Sequence, residues 1–159
     1  MIPNIIHTSR RMDRLVLLQK EMDCQNITNY KIWEGEIHPA ATLVGIALSH
    51  KKIVQWAKNN NLPECLIFEN DIMFTAPGAF DFYLSKKPID YDLYLGGIYC
   101  GNIKRDNTVD DFCGLHCYIV NSRFYDTFLE VGFGNLDREL KGKGKNQSAG
   151  AHLPNKLKL

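Results

Sequence analysis

Along the chain, short apolar runs alternate with longer segments in which apolar residues recur at helical spacing. Ile2 to His7 is a short apolar run closed by Thr8-Ser9, and Cys65-Leu66-Ile67-Phe68 is a second one, entered from Glu64. Runs of this kind bounded by polar turns predict strands buried on both faces, as in a parallel sheet. Between them, Leu15, Leu18 and Met22 mark a first helix. The series Leu43, Ile46, Ala47, His50, Ile53, Val54 and Ala57 marks a second, which fades into Lys58 and an asparagine-rich turn. Asn29 to Trp33 predicts another strand, closed by Glu34-Gly35. Pro77-Gly78 opens a short helical piece through Phe80, Phe82 and Leu84, and Asp92 to Leu95 is a strand ended by Gly96-Gly97. Paired glycines let a backbone approach a neighbour closely or merely permit a sharp turn. Gly114 to Val120 is the last predicted strand, followed from Ser122 by a helix carrying Phe124, Tyr125, Phe128 and Leu129.

Two segments lack a period. Residues 98–112 are polar and mixed in charge, which predicts a loop that at this length is either a functional lid or disordered. Beyond Lys141 the chain is basic and poor in apolar residues, so 141–159 is expected to be a mobile or loosely docked tail. The strand and helix order predicts a single α/β domain over 1–140, with helices flanking a mostly parallel sheet.

Composition narrows the class. A chain of 159 residues with 45% apolar and 23% charged residues suits one globular domain with a real core. A formal charge of +1 argues against a nucleic-acid binder held by phosphate contacts. No apolar run is long enough for a membrane span, and no signal-peptide pattern opens the chain, so a cytoplasmic protein is expected. The basic tail leaves room for peripheral contact with the inner face of a membrane. Cys24, Cys65, Cys100, Cys113 and Cys117 lack a compact disulfide spacing, which suits a reducing compartment.

The chemical anomaly is the stretch Glu69-Asn70-Asp71, where an apolar strand ends in acid. Alternation along an extended chain points Glu69 and Asp71 the same way and Asn70 the other. Two carboxylates sharing a small volume repel unless a cation or basic group lies between them. At the carboxyl end of a strand, where α/β sheets bind ligands, a hard divalent ion fits that need. The bland reading is an acidic pair facing solvent or paired with Lys or Arg. Arg10-Arg11-Met12-Asp13-Arg14, between the first strand and first helix, offers basic groups for a phosphate. His50 lies on the buried stripe of the second helix, where packing is the commoner role. Cys113, His116 and Cys117, with or without Cys100, admit a zinc reading, which strand alternation disfavours because it sets His116 and Cys117 on opposite faces.

Four pieces together resemble glycosyltransferase family 25, the lipooligosaccharide-biosynthesis type related to the collagen galactosyltransferases. They are Arg10 to Arg14, Gly45-Ile46-Ala47-Leu48-Ser49-His50, Leu66-Ile67-Phe68-Glu69-Asn70-Asp71, and Gly114-Leu115-His116-Cys117-Tyr118-Ile119-Val120. The resemblance implies a GT-A-like fold related to Rossmann architecture and a UDP-sugar donor. It also implies a divalent ion, Mn2+ or Mg2+, and inverting transfer of a sugar, typically galactose, to a glycan or glycolipid acceptor such as lipooligosaccharide. By the same resemblance, Asp71 would bind the metal directly and Glu69 would assist through the metal or the ribose. Arg10, Asp13 and Arg14 would meet the nucleotide, and Ser49 and His50 would lie near the donor. His116 would serve the sugar, the acceptor or the metal.

An inverting displacement also needs a base for the acceptor hydroxyl. Asp110 and Asp137, with Asp106 and Asp111, are the available carboxylates beside His116, and the sequence does not choose among them. The family pattern has a carboxylate where this chain has Asn70, and the chain is short for the fold. Those departures motivate a second reading, an inactive relative that only binds nucleotide or glycan.

Overall fold

The computed structural model describes residues 1–39, 41–131 and 157–158. The strands are β1 (Asn4–His7), β2 (Lys31–Glu34), β3 (Glu64–Glu69), β4 (Leu93–Leu95), β5 (Cys100–Ile103), β6 (Thr108–Cys113), β7 (Cys117–Asn121) and β8 (Leu157–Lys158). The helices are α1 (Met12–Cys24), α2 (Thr42–Asn59), α3 (Ala79–Ser85) and α4 (Tyr125–Glu130), the last entered through a 3-10 turn at Ser122–Phe124. All strands join one sheet in the order β2-β1-β3-β7-β4-β8-β6-β5, of which β2 to β4 form the body.

The sheet is mixed rather than mostly parallel. β1 runs parallel to β2 and β3, but β7 lies antiparallel between β3 and β4. Strand burial does not encode direction: β3 and β7 are apolar on both faces because helices cover both faces, whichever way β7 runs. Residues 98–112 also depart from expectation. They form most of a hairpin, β5 against β6, with register disrupted between Cys100 and Asn102. Its polar sequence reflects exposure, since all of β5 faces solvent while Val109 and Phe112 of β6 are buried.

Alternation divides the core as the strand pattern requires. Cys65 and Ile67 of β3 and Tyr118 and Val120 of β7 pack with Ile53, Val54 and Ala57 of α2 and with Phe128 of α4. Leu66 and Phe68 of β3 and Cys117 and Ile119 of β7 pack on the other face with Leu18 and Met22 of α1 and Phe80 and Tyr83 of α3. Of the expected tail, Leu157 and Lys158 form β8, and 141–156 and 159 lie outside the described residues.

Candidate functional site

The parallel pair β1 and β3 ends at one edge of the sheet with His7 and Glu69. Because β7 is antiparallel, its beginning rather than its end reaches that edge. Phe68 stands opposite Cys117, and the Glu69 backbone N–H donates to the His116 carbonyl at 2.9 Å. His116 and Glu69 therefore meet across the strand pair. Beyond Glu69 the chain leaves the strand and turns, so the alternation argument for Asp71 lapses there. The turn, closed by the Ile72 N–H donating to the Glu69 carbonyl, nevertheless returns Asp71 to the cluster.

Glu69, Asp71 and His116 form the one group of three metal-capable side chains found among the described residues, their ligand atoms within 4.8 Å of one another. His116 Nδ1 lies 2.9 Å from Glu69 Oε2 and 3.8 Å from Asp71 Oδ1. Ligands about 2.1 Å from an octahedral ion sit about 3 Å apart when adjacent, so these spacings need little closure to hold one. Two carboxylates suit a hard ion, and the added imidazole moves the preference from Mg2+ toward a transition ion such as Mn2+. The donor set fits a divalent metal.

The remaining oxygens of the two acids are committed elsewhere. Glu69 Oε1 takes the Nε2 of the buried His50 at 3.2 Å, and Asp71 Oδ2 takes an Arg14 Nη1 bond at 3.0 Å. Burial alone would raise the Glu69 carboxyl, but the bonds and charges of His50 and His116 outweigh it and hold the group below its ordinary value. Asn70 does not face away: its Oδ1 accepts from Arg14 at 3.3 Å and its Nδ2 meets His7 Nδ1 at 3.0 Å.

Two cavities flank the cluster, with Asp71 in the wall of both. The first, about 300 Å³, is lined by Arg11 and Arg14, by Glu69, Asn70 and Asp71, and by Ile37, Thr42 and Ile46. The second, about 250 Å³, is lined by Asp71 and His116, by Phe74, by Gly96 and Gly97, and by the exposed ring of Tyr99 at the start of the hairpin. Local sequence explains both walls. A Cβ on Gly45 would stand 2.4 Å from the Glu36 carbonyl, so only glycine lets the first turn of α2 press against residues 36–38. Ser49 completes that junction, its hydroxyl accepting the Glu36 N–H at 2.7 Å and donating to the Gly45 carbonyl at 2.8 Å. Gly96 makes the comparable approach in the second cavity, where a Cβ would stand 2.6 Å from Cys117 Sγ; at Gly97 there is open space.

The expected site residues thus separate into groups. Glu69, Asp71, His116, His50 and Arg14 come together. Ser49 borders the first cavity, but its hydroxyl is occupied within the fold. Arg10 and Asp13 line neither cavity; Asp13 is held by Arg11, which keeps its carboxyl at about 2. Asp110 sits on β6, paired with Lys104 at 2.5 Å, and lines neither cavity. Asp106 binds its own turn through Thr108, Asp111 lines neither cavity, and Asp137 lies outside the described residues. Cys117 is buried on the sheet face opposite Tyr118, so Cys113, His116 and Cys117 form no cluster. Arg11, Tyr99 and Tyr118 were not singled out by sequence reasoning. Arg11 belongs to the basic run Arg10 to Arg14 and Tyr118 to the strand Gly114 to Val120, whereas nothing local marks Tyr99. A comparison with family models and with curated proteins finds no match for the chain. Among the described residues, no helix is long and apolar enough to cross a membrane.

Proposed function

We propose that the chain is a metal-assisted glycosyltransferase of GT-A-like design, transferring a sugar from a nucleoside-diphosphate donor to a hydroxyl of a glycan or glycolipid. The observation that carries this reading is the convergence of Glu69, Asp71 and His116 between an arginine-lined cavity and a second cavity. Glu69, Asp71 and His116 would hold the ion. A divalent ion there supplies Lewis-acid neutralisation of the charge that grows on a departing diphosphate. Arg14, and Arg11 beside it, add charge-assisted donors for the phosphates along the first cavity. Ile37 and Ile46, both more than two-fifths exposed, offer an apolar bed for the nucleoside end. The second cavity takes the acceptor, with the Tyr99 ring as a stacking face and the open space at Gly97 allowing close approach.

UDP with Mn2+ is the donor-side probe, and UDP-galactose is the first sugar donor to try. Calorimetric titration with UDP should show binding that strengthens at least tenfold when Mn2+ is present, and UDP-galactose should be hydrolysed slowly without acceptor. Equal UDP binding with and without Mn2+ would overturn the reading.

A second reading, a relative that binds nucleotide or glycan without transferring, draws on one observation. Asp71 is the only carboxylate among the described residues lining the second cavity, and it is engaged by Arg14. Metal-dependent UDP binding without sugar release across a panel of glycan acceptors would favour it.

A further inference from the structure

Glu69 is held from two sides, and only one side belongs to the cluster. On the other, His50 Nε2 lies 3.2 Å from Oε1, and His50 Nδ1 lies 2.6 Å from the Tyr118 hydroxyl. The direction of this chain follows from chemistry. The Glu69 carboxylate only accepts, so His50 carries its proton on Nε2. In the neutral ring Nδ1 is then a bare lone pair, which takes the O–H of Tyr118. The Tyr118 hydroxyl is fully buried and has this ring nitrogen as its hydrogen-bond partner at 2.6 Å. Both rings are buried. Tyr118 is completely buried, stacked against His50 at 5.7 Å and against Phe128 of α4 at 6.1 Å between ring centres.

We infer that Tyr118 and His50 act as a strut that fixes the rotamer of the Glu69 carboxylate, reserving Oε2 for a metal ion. They are positioning residues, acting through Glu69 rather than on substrate, and the inference rests on the metal reading of Glu69 made above. Without the strut, the carboxylate is free to swing both oxygens toward His116 or Arg14. Outer partners that orient a ligand commonly change metal affinity by about 10- to 100-fold when removed.

Three single variants separate positioning from packing. Tyr118→Phe removes one oxygen and keeps the ring. His50→Gln carries an amide N–H where Nε2 stood and loses the Tyr118 bond, whereas His50→Asn keeps a polar group near Nδ1 and loses the reach to Glu69. Mn2+ alone is the probe, followed by its paramagnetic resonance signal, with melting temperature recorded for each variant. His50→Asn, which loses the bond to Glu69 itself, should weaken Mn2+ binding about tenfold or more, while Tyr118→Phe and His50→Gln, which keep a donor to Glu69 but lose the Tyr118 bond, should each lose about three- to tenfold although His50→Gln melts lower than Tyr118→Phe. Affinity losses that simply follow melting temperature would overturn the strut and leave the metal site standing. Failure of wild type to bind Mn2+ would remove the metal reading and this inference together. Ring nitrogen NMR gives a readout without metal: a proton on His50 Nδ1 instead of Nε2 would overturn the strut by itself.

Discussion

Strand β3 carries a glutamate at each end, and the two are equally accessible, Glu64 at 23% and Glu69 at 24% side-chain exposure. Their partners differ. Glu64 is closed by the Lys87 ammonium, 2.5 Å from both oxygens, and by the Tyr91 hydroxyl. It borders neither cavity. Glu69 is held by two histidines, whose rings can donate, accept or ligate, and it opens onto a cavity. In each case burial would raise the carboxyl and the partners lower it. The same residue type, strand and burial thus give a saturated structural ion pair at one end and a reconfigurable cluster at the other. Partners able to exchange a proton for a metal, beside a space for substrate, are what separate the ends.

The sharpest way to break this contrast is to remove one ligand at the edge that bears the cluster. Asp71→Ala or Glu69→Gln should lower Mn2+-dependent turnover of UDP-galactose about a thousandfold, equivalent to about 4 kcal/mol, with melting shifted by about 2 °C or less in Asp71→Ala and by more in Glu69→Gln, which gives up the charge that His50 and His116 stabilise. Unchanged turnover in either variant sinks the proposed role. At the other end the effect should fall on stability. Lys87→Met leaves a largely buried carboxylate with Tyr91 as its remaining partner, which should cost about 1–3 kcal/mol in denaturant unfolding. Mn2+ binding should not change. If this variant weakens Mn2+ more than stability, the ends of β3 are not independent.

pH sharpens the comparison from outside. Glu64 and Glu69 are both depressed in the fold, so their stabilisation is present above the ordinary carboxylate value and is lost as pH falls through the depressed ones. The thiols of Cys65 and Cys117 work in the opposite sense. Burial pushes each up from 9.0 to about 12, so their contribution is complete below 9.0 and is lost as pH rises toward about 12. Thermal melts should therefore show an acid limb that Lys87→Met alters and an alkaline limb that flattens in Cys65→Ala. An alkaline limb of unchanged slope in Cys65→Ala would mean that another group controls it.

Much of this architecture was legible in the sequence, because burial and period are local. The amphipathic stripe of α2 placed His50 inward, and the run ending at Glu69 marked a strand whose acidic end needed a partner. What the sequence hid was direction. A strand covered on both faces looks the same parallel or antiparallel, yet only the antiparallel β7 brings His116, instead of Asn121, to the end of β3 that carries Glu69. The hairpin was hidden for a related reason: β5 is wholly exposed, so Cys100–Ile103 carries no apolar alternation to betray it. Turn geometry was the third loss. Glu69 and Asp71 share a site because the chain bends after Glu69, not because a strand continues through it.

The smallest effect is expected at Asn70, where the resemblance to family 25 leads one to expect a carboxylate. Arg14 only donates, so the amide oxygen must face it, and the amide nitrogen must donate to His7 Nδ1. His7 then carries its proton on Nε2, a buried atom with no hydrogen-bond partner among the described residues. Asn70→Asp would accept from Arg14 as before, but it would require His7 to move its proton to Nδ1. That exchange leaves a bare lone pair in place of an unpaired buried N–H. The added charge faces Arg14 at a partly exposed position, so stability should change by less than about 1 kcal/mol. Mn2+ affinity should rise no more than about threefold, since Asn70 meets Arg14 and His7 rather than the ligand set. Ring nitrogen NMR of His7 should show the proton relocated, and calorimetry should give the affinity. A tenfold gain in Mn2+ binding would show instead that position 70 reaches the ion, and that its amide limits how tightly the cluster can hold one.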